Sequence, residues 1–154
     1  MVSYLPAKPS LFSLEGTPHL PDYPALKGCR CKCGYVFFPR QRYGCERCGR
    51  FGHDIEDIEI SGKGKLRAFA TVHRSDSENY QAPYIAATIV LDAGCAIRAL
   101  LDVADESSLF IGQTVYSTLT VVDCDERGRK IADLRFTPVP LDVEGSAGRR
   151  GETS

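Results

Sequence analysis

Five of the seven cysteines in this 154-residue chain fall between positions 29 and 48, and no other feature so narrows what the chain can fold into. The second pair forms a Cys-x-x-Cys-Gly knuckle, Cys45-Glu46-Arg47-Cys48-Gly49. The first is a crowded variant, Cys29-Arg30-Cys31-Lys32-Cys33, ending in the same Cys-Gly step at Gly34. Two such hooks, eleven residues apart, can close four thiolates around one tetrahedral Zn²⁺ and turn a short loop into a folded module. A shell of four cysteines is closed and therefore structural, whereas a catalytic zinc keeps one position open. Cys33, Cys45 and Cys48 belong to the set in every arrangement. The fourth ligand is Cys31 or Cys29, because a Cys-x-Cys step leaves less room for the backbone N–H groups that turn back toward the sulfurs.

The rest of the composition suits a soluble globular chain, with 43% hydrophobic and 25% charged residues. No apolar run approaches the roughly 18 residues needed to span a bilayer, so no membrane partner is expected. The opening Met1-Val2-Ser3-Tyr4-Leu5-Pro6 lacks the basic and apolar blocks of a signal peptide. The expectation is a cytoplasmic protein, in which clustered cysteines bind metal more often than they form disulfides. Net charge is −1, unevenly spread: from Lys27 to Arg50 seven Lys or Arg face the single Glu46, giving +6 there and −7 elsewhere. A Cys₄ zinc centre is formally −2, so part of this positive charge offsets the metal site, and the remainder is available for phosphates or an acidic protein surface.

Residues 1–27 carry five prolines and little periodicity, which reads as an extended arm lying over a partner or over its own domain. The zinc ribbon follows at 28–52, with Tyr35-Val36-Phe37-Phe38 as a short strand between the knuckles. From 53 to 141 strands alternate with turns, at 54–60, 65–73, 84–91, 95–103, 114–122 and 130–136, with one helical turn at 106–110. In the 65–73 strand, alternation puts Leu66, Ala68, Ala70 and Val72 on one side and Phe69 on the other. The fold class is mainly β: a rubredoxin-like zinc ribbon followed by an OB-fold barrel. The Gly/Ser/Arg-rich stretch 142–154 reads as a flexible tail.

In that order, Phe37-Phe38-Pro39-Arg40, Cys45-x-x-Cys48-Gly49, Ser61-Gly62-Lys63-Gly64, Thr71-Val72-His73-Arg74, Pro83-Tyr84, Leu91-Asp92-Ala93-Gly94 and Ile111-Gly112 resemble a known family. The chain is similar, from about residue 26 to 140, to zinc-ribbon/OB-fold proteins associated with acyl-CoA metabolism, once grouped as a domain of unknown function. The resemblance implies a small companion of a thiolase or thiolase-like enzyme, a hetero-oligomer whose partner carries the catalytic residues. The short proline-rich N-terminus is similar to companions of degradative thiolases that cleave aromatic 3-oxoacyl-CoA intermediates such as benzoylsuccinyl-CoA. The family's usual first knuckle is Cys-x-x-Cys-Gly. With one residue lost, this chain aligns best with Cys31, Cys33, Cys45 and Cys48 as ligands and Cys29 as the alternative to Cys31.

No catalytic set is legible. Cys95 enters an apolar strand, Cys124 lies between two aspartates, and His19, His53 and His73 have no evident partner. Binding remains. Arg40, Arg42 and Arg47 on the ribbon, with His73, Arg74 and Tyr84 on the barrel, are candidate contacts for acyl-CoA or for the protein partner. The competing reading is a single-stranded nucleic-acid-binding ribbon/OB protein. Against nucleic acid stand the acidic barrel half and its shortage of stacking aromatics, with Phe69 the clear one on its strand.

Overall fold

The structure is a computed structural model that describes residues 4–41, 43–73, 83–103 and 105–138. In chain order the elements are β1 (Tyr4–Pro6), β2 (Leu26–Cys31), β3 (Val36–Phe37), a 3₁₀ turn (Gly52–Asp54), β4 (Ile55–Ile60), β5 (Lys63–Val72), β6 (Tyr84–Leu91), β7 (Ala96–Leu101), β8 (Thr114–Cys124) and β9 (Lys130–Thr137). No α-helix occurs among the described residues. The helical turn expected at 106–110 is an isolated hydrogen-bonded turn, in which the Leu109 N–H donates to the Glu106 carbonyl at 3.1 Å.

Five strands close the barrel expected from the sequence. β5–β6, β6–β7, β5–β8 and β8–β9 pair antiparallel, and β7 meets β9 in parallel where Leu101 faces Phe136. The strand β6 shows why the sequence folds this way. Ile85, Ala87, Ile89 and Leu91 are buried and alternate with half-buried Tyr84, Ala86, Thr88 and Val90, the period of two that sends alternate side chains inward. Leu66, Ile97, Leu101, Val115 and Phe136 complete the interior. Each such aliphatic or aromatic side chain contributes about 1.5–3 kcal/mol on burial.

One strand departs from simple alternation. A register shift between Leu66 and Ala68 marks a bulge in β5. The extra residue, Arg67, restarts the pattern, so Leu66 and Phe69 both turn toward the core while Ala68 and Ala70 are exposed. The expected alternation thus holds up to the bulge and inverts after it.

The ribbon is a three-stranded sheet in the order β3-β2-β4. All six residues of β2 pair with β4, from Leu26 opposite Ile60 to Cys31 opposite Ile55. Residues 54–60, grouped in the sequence with the barrel, therefore complete the ribbon sheet, which runs past residue 52. Its two faces serve two cores. Cys29, Cys31, Phe37 and Ile55 gather with Cys45 on one side. Leu26, Val36 and Ile60, joined by Ile58, pack into the barrel core on the other. Gly28 faces the crowded side: a Cβ there would lie 2.4 Å from Ile60 Cδ1 and 2.7 Å from the Phe37 carbonyl oxygen.

The proline-rich arm packs on its own chain. β1 adds to the edge of β9 in parallel, Tyr4 to Pro6 against Lys130 to Ala132. Phe12 is buried and bridges Leu26, and the Lys27 N–H donates to the Leu11 carbonyl at 2.8 Å. Three further contacts fasten it: the Ser117 hydroxyl donates to the Pro24 carbonyl at 2.7 Å, Thr17 and Ser61 hydroxyls meet at 2.7 Å, and Tyr23 stacks on Tyr116 with centroids 5.0 Å apart. The tail expected at 142–154 lies outside the described residues.

Candidate metal centre

Each knuckle is built by a backbone turn that glycine completes. The Gly34 N–H donates to the Cys31 carbonyl at 2.8 Å and the Gly49 N–H to the Cys45 carbonyl at 2.9 Å. Both glycines sit at positive φ, +99° and +82°, where a Cβ would be strained. The first knuckle continues β2, and the Lys32 N–H, bonded to the Asp54 carbonyl at 2.9 Å, ties it to the turn before β4. The second closes its own loop, with the Cys45 N–H on the Arg50 carbonyl at 2.7 Å.

The Sγ atoms of Cys31, Cys33, Cys45 and Cys48 all lie within 4.8 Å of one another. Cys31 and Cys48 stand 3.5 Å apart, Cys33 and Cys45 3.7 Å. Sulfurs about 2.3 Å from a tetrahedral zinc lie about 3.8 Å from each other, so these four could hold such an ion. Cys29 is outside the group. Its buried thiol points to the Gln41 carbonyl at 3.9 Å and to Asp57 Oδ1 at 3.7 Å.

Cys31 and Cys48 hold their protons unequally. The Cys33 backbone N–H draws the Cys31 thiol down, but burial and hydrogen bonds with Cys48, Cys33 and Cys45 push it up to about 12. Cys48 is lowered to about 6, first by the Arg50 backbone N–H, against the effect of burial, and then by the Cys31 thiol and the Arg50 guanidinium. That guanidinium donates from Nη1 to Cys48 Sγ at 3.5 Å and faces Asp54 at 3.8 Å. The Arg47 N–H also points to Cys45 Sγ, at 3.4 Å. Donors of this kind stabilise the charge that a metal-bound thiolate carries.

The other sequence candidates scatter. Arg40 is committed to the ribbon itself: Nε donates to the Gly28 carbonyl at 3.0 Å and Nη2 to the Ile58 carbonyl at 2.9 Å, clamping β2 to β4 beside Asp57. Arg47 is exposed on the second knuckle. His73 is exposed just past the end of β5, next to the Val72–Tyr84 pair. Tyr84 is half-buried and lines a cleft of about 510 Å³ between arm, ribbon and barrel, with Phe12, Phe38, Arg98 and Asp133. Arg42 and Arg74 lie outside the described residues. His53 is exposed on the 3₁₀ turn, and burial pushes the Cys95 thiol up.

Sequence reasoning missed two large aromatics on the ribbon. Tyr43 is 87% exposed and Phe51 71% exposed. Their signal was positional, since each stands two or three residues outside the second Cys pair. Among the described residues no helix is long and apolar enough to cross a membrane.

Comparison with known proteins agrees with this architecture. Residues 57–120 match the family of the ChsH2 C-terminal OB-fold domain. Among solved structures the Ltp2-ChsH2(DUF35) aldolase is similar in fold, with a TM-score of 0.55 and 22% identity over 72% of this chain and 84% of that one. A DUF35 domain-containing scaffold protein of Methanothermobacter thermautotrophicus is 33% identical over 99 residues, 63% of this chain and 73% of that protein. Another, from Methanocaldococcus jannaschii, is 35% identical over 124 residues, covering 79% of this chain and 86% of the relative. The chain belongs to the family of DUF35 domain-containing scaffold proteins.

Proposed function

We propose that this chain is a non-catalytic accessory subunit of a thiolase-like acyl-CoA enzyme, held in shape by a structural zinc. The observation that carries the reading is the all-cysteine shell set on a scaffold-family fold. Four thiols converge without a histidine or carboxylate ligand among the described residues, a donor set suited to holding a loop and not to activating water. The relatives are scaffold proteins, and the similar solved structure is an aldolase assembled with ChsH2(DUF35). When bound, zinc would supply charge and tetrahedral constraint to Cys31, Cys33, Cys45 and Cys48, and these hold the second knuckle against β2. The partner carries the chemistry, which we place in cleavage of an aromatic 3-oxoacyl-CoA. The domain plan is an arm at 1–27, a ribbon at 28–52, a barrel at 53–141 whose first strand, β4, pairs back onto the ribbon sheet, and a tail at 142–154, acting in the cytoplasm.

Nucleic-acid binding is the weaker reading. OB-folds that bind single strands offer aromatic stacking platforms. Here the outer face of β5 and β6 carries Ala68, Ala70, Ala86 and Thr88, and Phe69 packs against the barrel core. The test is co-expression with a thiolase-like enzyme from the same genome, followed by metal analysis and a thiolysis assay. The expected result is a stable hetero-oligomer with one zinc per copy of this chain and activity only in the complex. Thiolysis by the isolated chain would refute the assignment.

A further inference from the structure

The second knuckle presents more than cysteines. The Cys45 N–H bond to the Arg50 carbonyl pinches the ends of the loop together, and Tyr43 and Phe51 flank that pinch in the chain. Both are far more exposed than any other large apolar side chain of the described ribbon. Between them stand exposed Glu46, Arg47 and Arg50. Glu46 is approached by the Tyr35 hydroxyl at 3.4 Å and Arg50 faces Asp54 and Cys48. Among the described residues, no partner engages the Arg47 guanidinium or the Tyr43 hydroxyl. Exposed apolar surface grouped with polar residues at its rim marks interaction sites, and Tyr and Arg are enriched among the residues that dominate protein–protein contacts.

We infer that this Tyr43/Phe51 face, with Arg47 at its rim, is the surface that docks the enzyme partner, an inference that rests on the accessory reading above. The occupant is a folded protein surface with an apolar patch and an acidic rim. Charge decides between a protein and a polyanion. Glu46 lies beside Arg47 and Asp54 beside Arg50, and such a mosaic of signs complements a protein rim while repelling a phosphate backbone at every second contact. Because the metal loop positions both aromatics, docking and metal occupancy are linked.

The experiment measures binding of the full chain to a thiolase-like enzyme from the same genome by biolayer interferometry, at low and moderate salt. Zinc content and barrel amide exchange serve as fold controls. The double variant Tyr43→Ala/Phe51→Ala is expected to weaken binding at least 30-fold with zinc retained. Arg47→Glu is expected to slow association about tenfold and flatten its salt dependence. A control double variant, Phe110→Ser/Ile111→Ser, which removes the exposed apolar pair of the barrel, is expected to bind like the parent chain. Affinity within twofold of the parent in Tyr43→Ala/Phe51→Ala with intact zinc would overturn the assignment of this face. Tight, salt-sensitive binding of an oligothymidylate that the same variant abolishes would overturn it too, in favour of nucleic acid. If the parent chain fails to bind the enzyme at all, the accessory reading itself falls.

Discussion

The ribbon and the barrel bury side chains by different means. The barrel core is aliphatic and aromatic, built from Leu66, Ile85, Ile89, Leu91, Ile97, Leu101, Val115 and Phe136, and it stands on the area removed from water. The metal-side core of the ribbon has five buried members, three of them cysteines, with Phe37 and Ile55. Too little apolar surface is present there to offset the entropy of ordering two knuckle loops. What the barrel obtains from hydrophobic burial, the ribbon would obtain from a metal ion held by its four converging thiols. Yet the two are not independent, because Leu26, Val36 and Ile60 on the opposite face of the ribbon sheet belong to the barrel core.

The strongest way to break the comparison is to remove the metal. Chelation, or Cys45→Ser, should abolish amide-exchange protection across the knuckles, since structural zinc supplies about 10–16 kcal/mol of folding free energy in small metal modules. Strands β5 to β9 should remain protected, with a lowered melting temperature from loosening of Leu26, Val36 and Ile60. Complete loss of barrel protection would show that the two regions fold as one unit. The reciprocal change, Phe136→Ala, should cost about 3–5 kcal/mol in denaturant unfolding and still leave one metal per folded chain.

Next in size is the joint between arm, ribbon and barrel. At Gly62 a Cβ would meet Ser117 Cβ at 2.5 Å and the Pro24 carbonyl oxygen at 2.6 Å, and would overlap Ser117 Oγ. Gly62→Ala should destabilise by about 1–3 kcal/mol through overpacking, and limited proteolysis should show the arm released first. The smallest effect is expected at the fifth cysteine. Cys29→Ala should cost about 1 kcal/mol, as a typical buried substitution does, with zinc stoichiometry unchanged by elemental analysis. Cys31→Ser in parallel should lose the metal. If the two variants swapped behaviour, Cys29 would be the fourth ligand.

Legibility varied with the range of the interaction. The alternation in β6 and the β8–β9 hairpin were readable because a strand's period and a short turn are local properties. The inversion at Phe69 was not, since a bulge at Arg67 depends on how β5 must bend between β6 and β8. Which sheet residues 54–60 would join was not legible for a similar reason. The six residues of β4 alternate well enough to be a strand anywhere, and only pairing with β2, some thirty residues earlier, makes them part of the ribbon. Arg40 looked like a free cation in sequence, but its guanidinium is held by two carbonyls that neighbouring strands bring together.

By itself the sequence determined that this protein is mainly β and that a cysteine ribbon precedes a barrel, and the order of its motifs resembled the zinc-ribbon/OB-fold family. Cysteine spacing, turn glycines and strand periodicity are written within a few residues and survive any packing. The family resemblance favoured Cys31 over Cys29, and tertiary structure brings Cys31 to the other three sulfurs while Cys29 faces away. Tertiary structure alone decided that one ribbon sheet faces both cores, and that Tyr43 and Phe51 are left outside. Those outcomes depend on which strand lies beside which, and a pairing across dozens of residues is settled by the burial of the whole molecule.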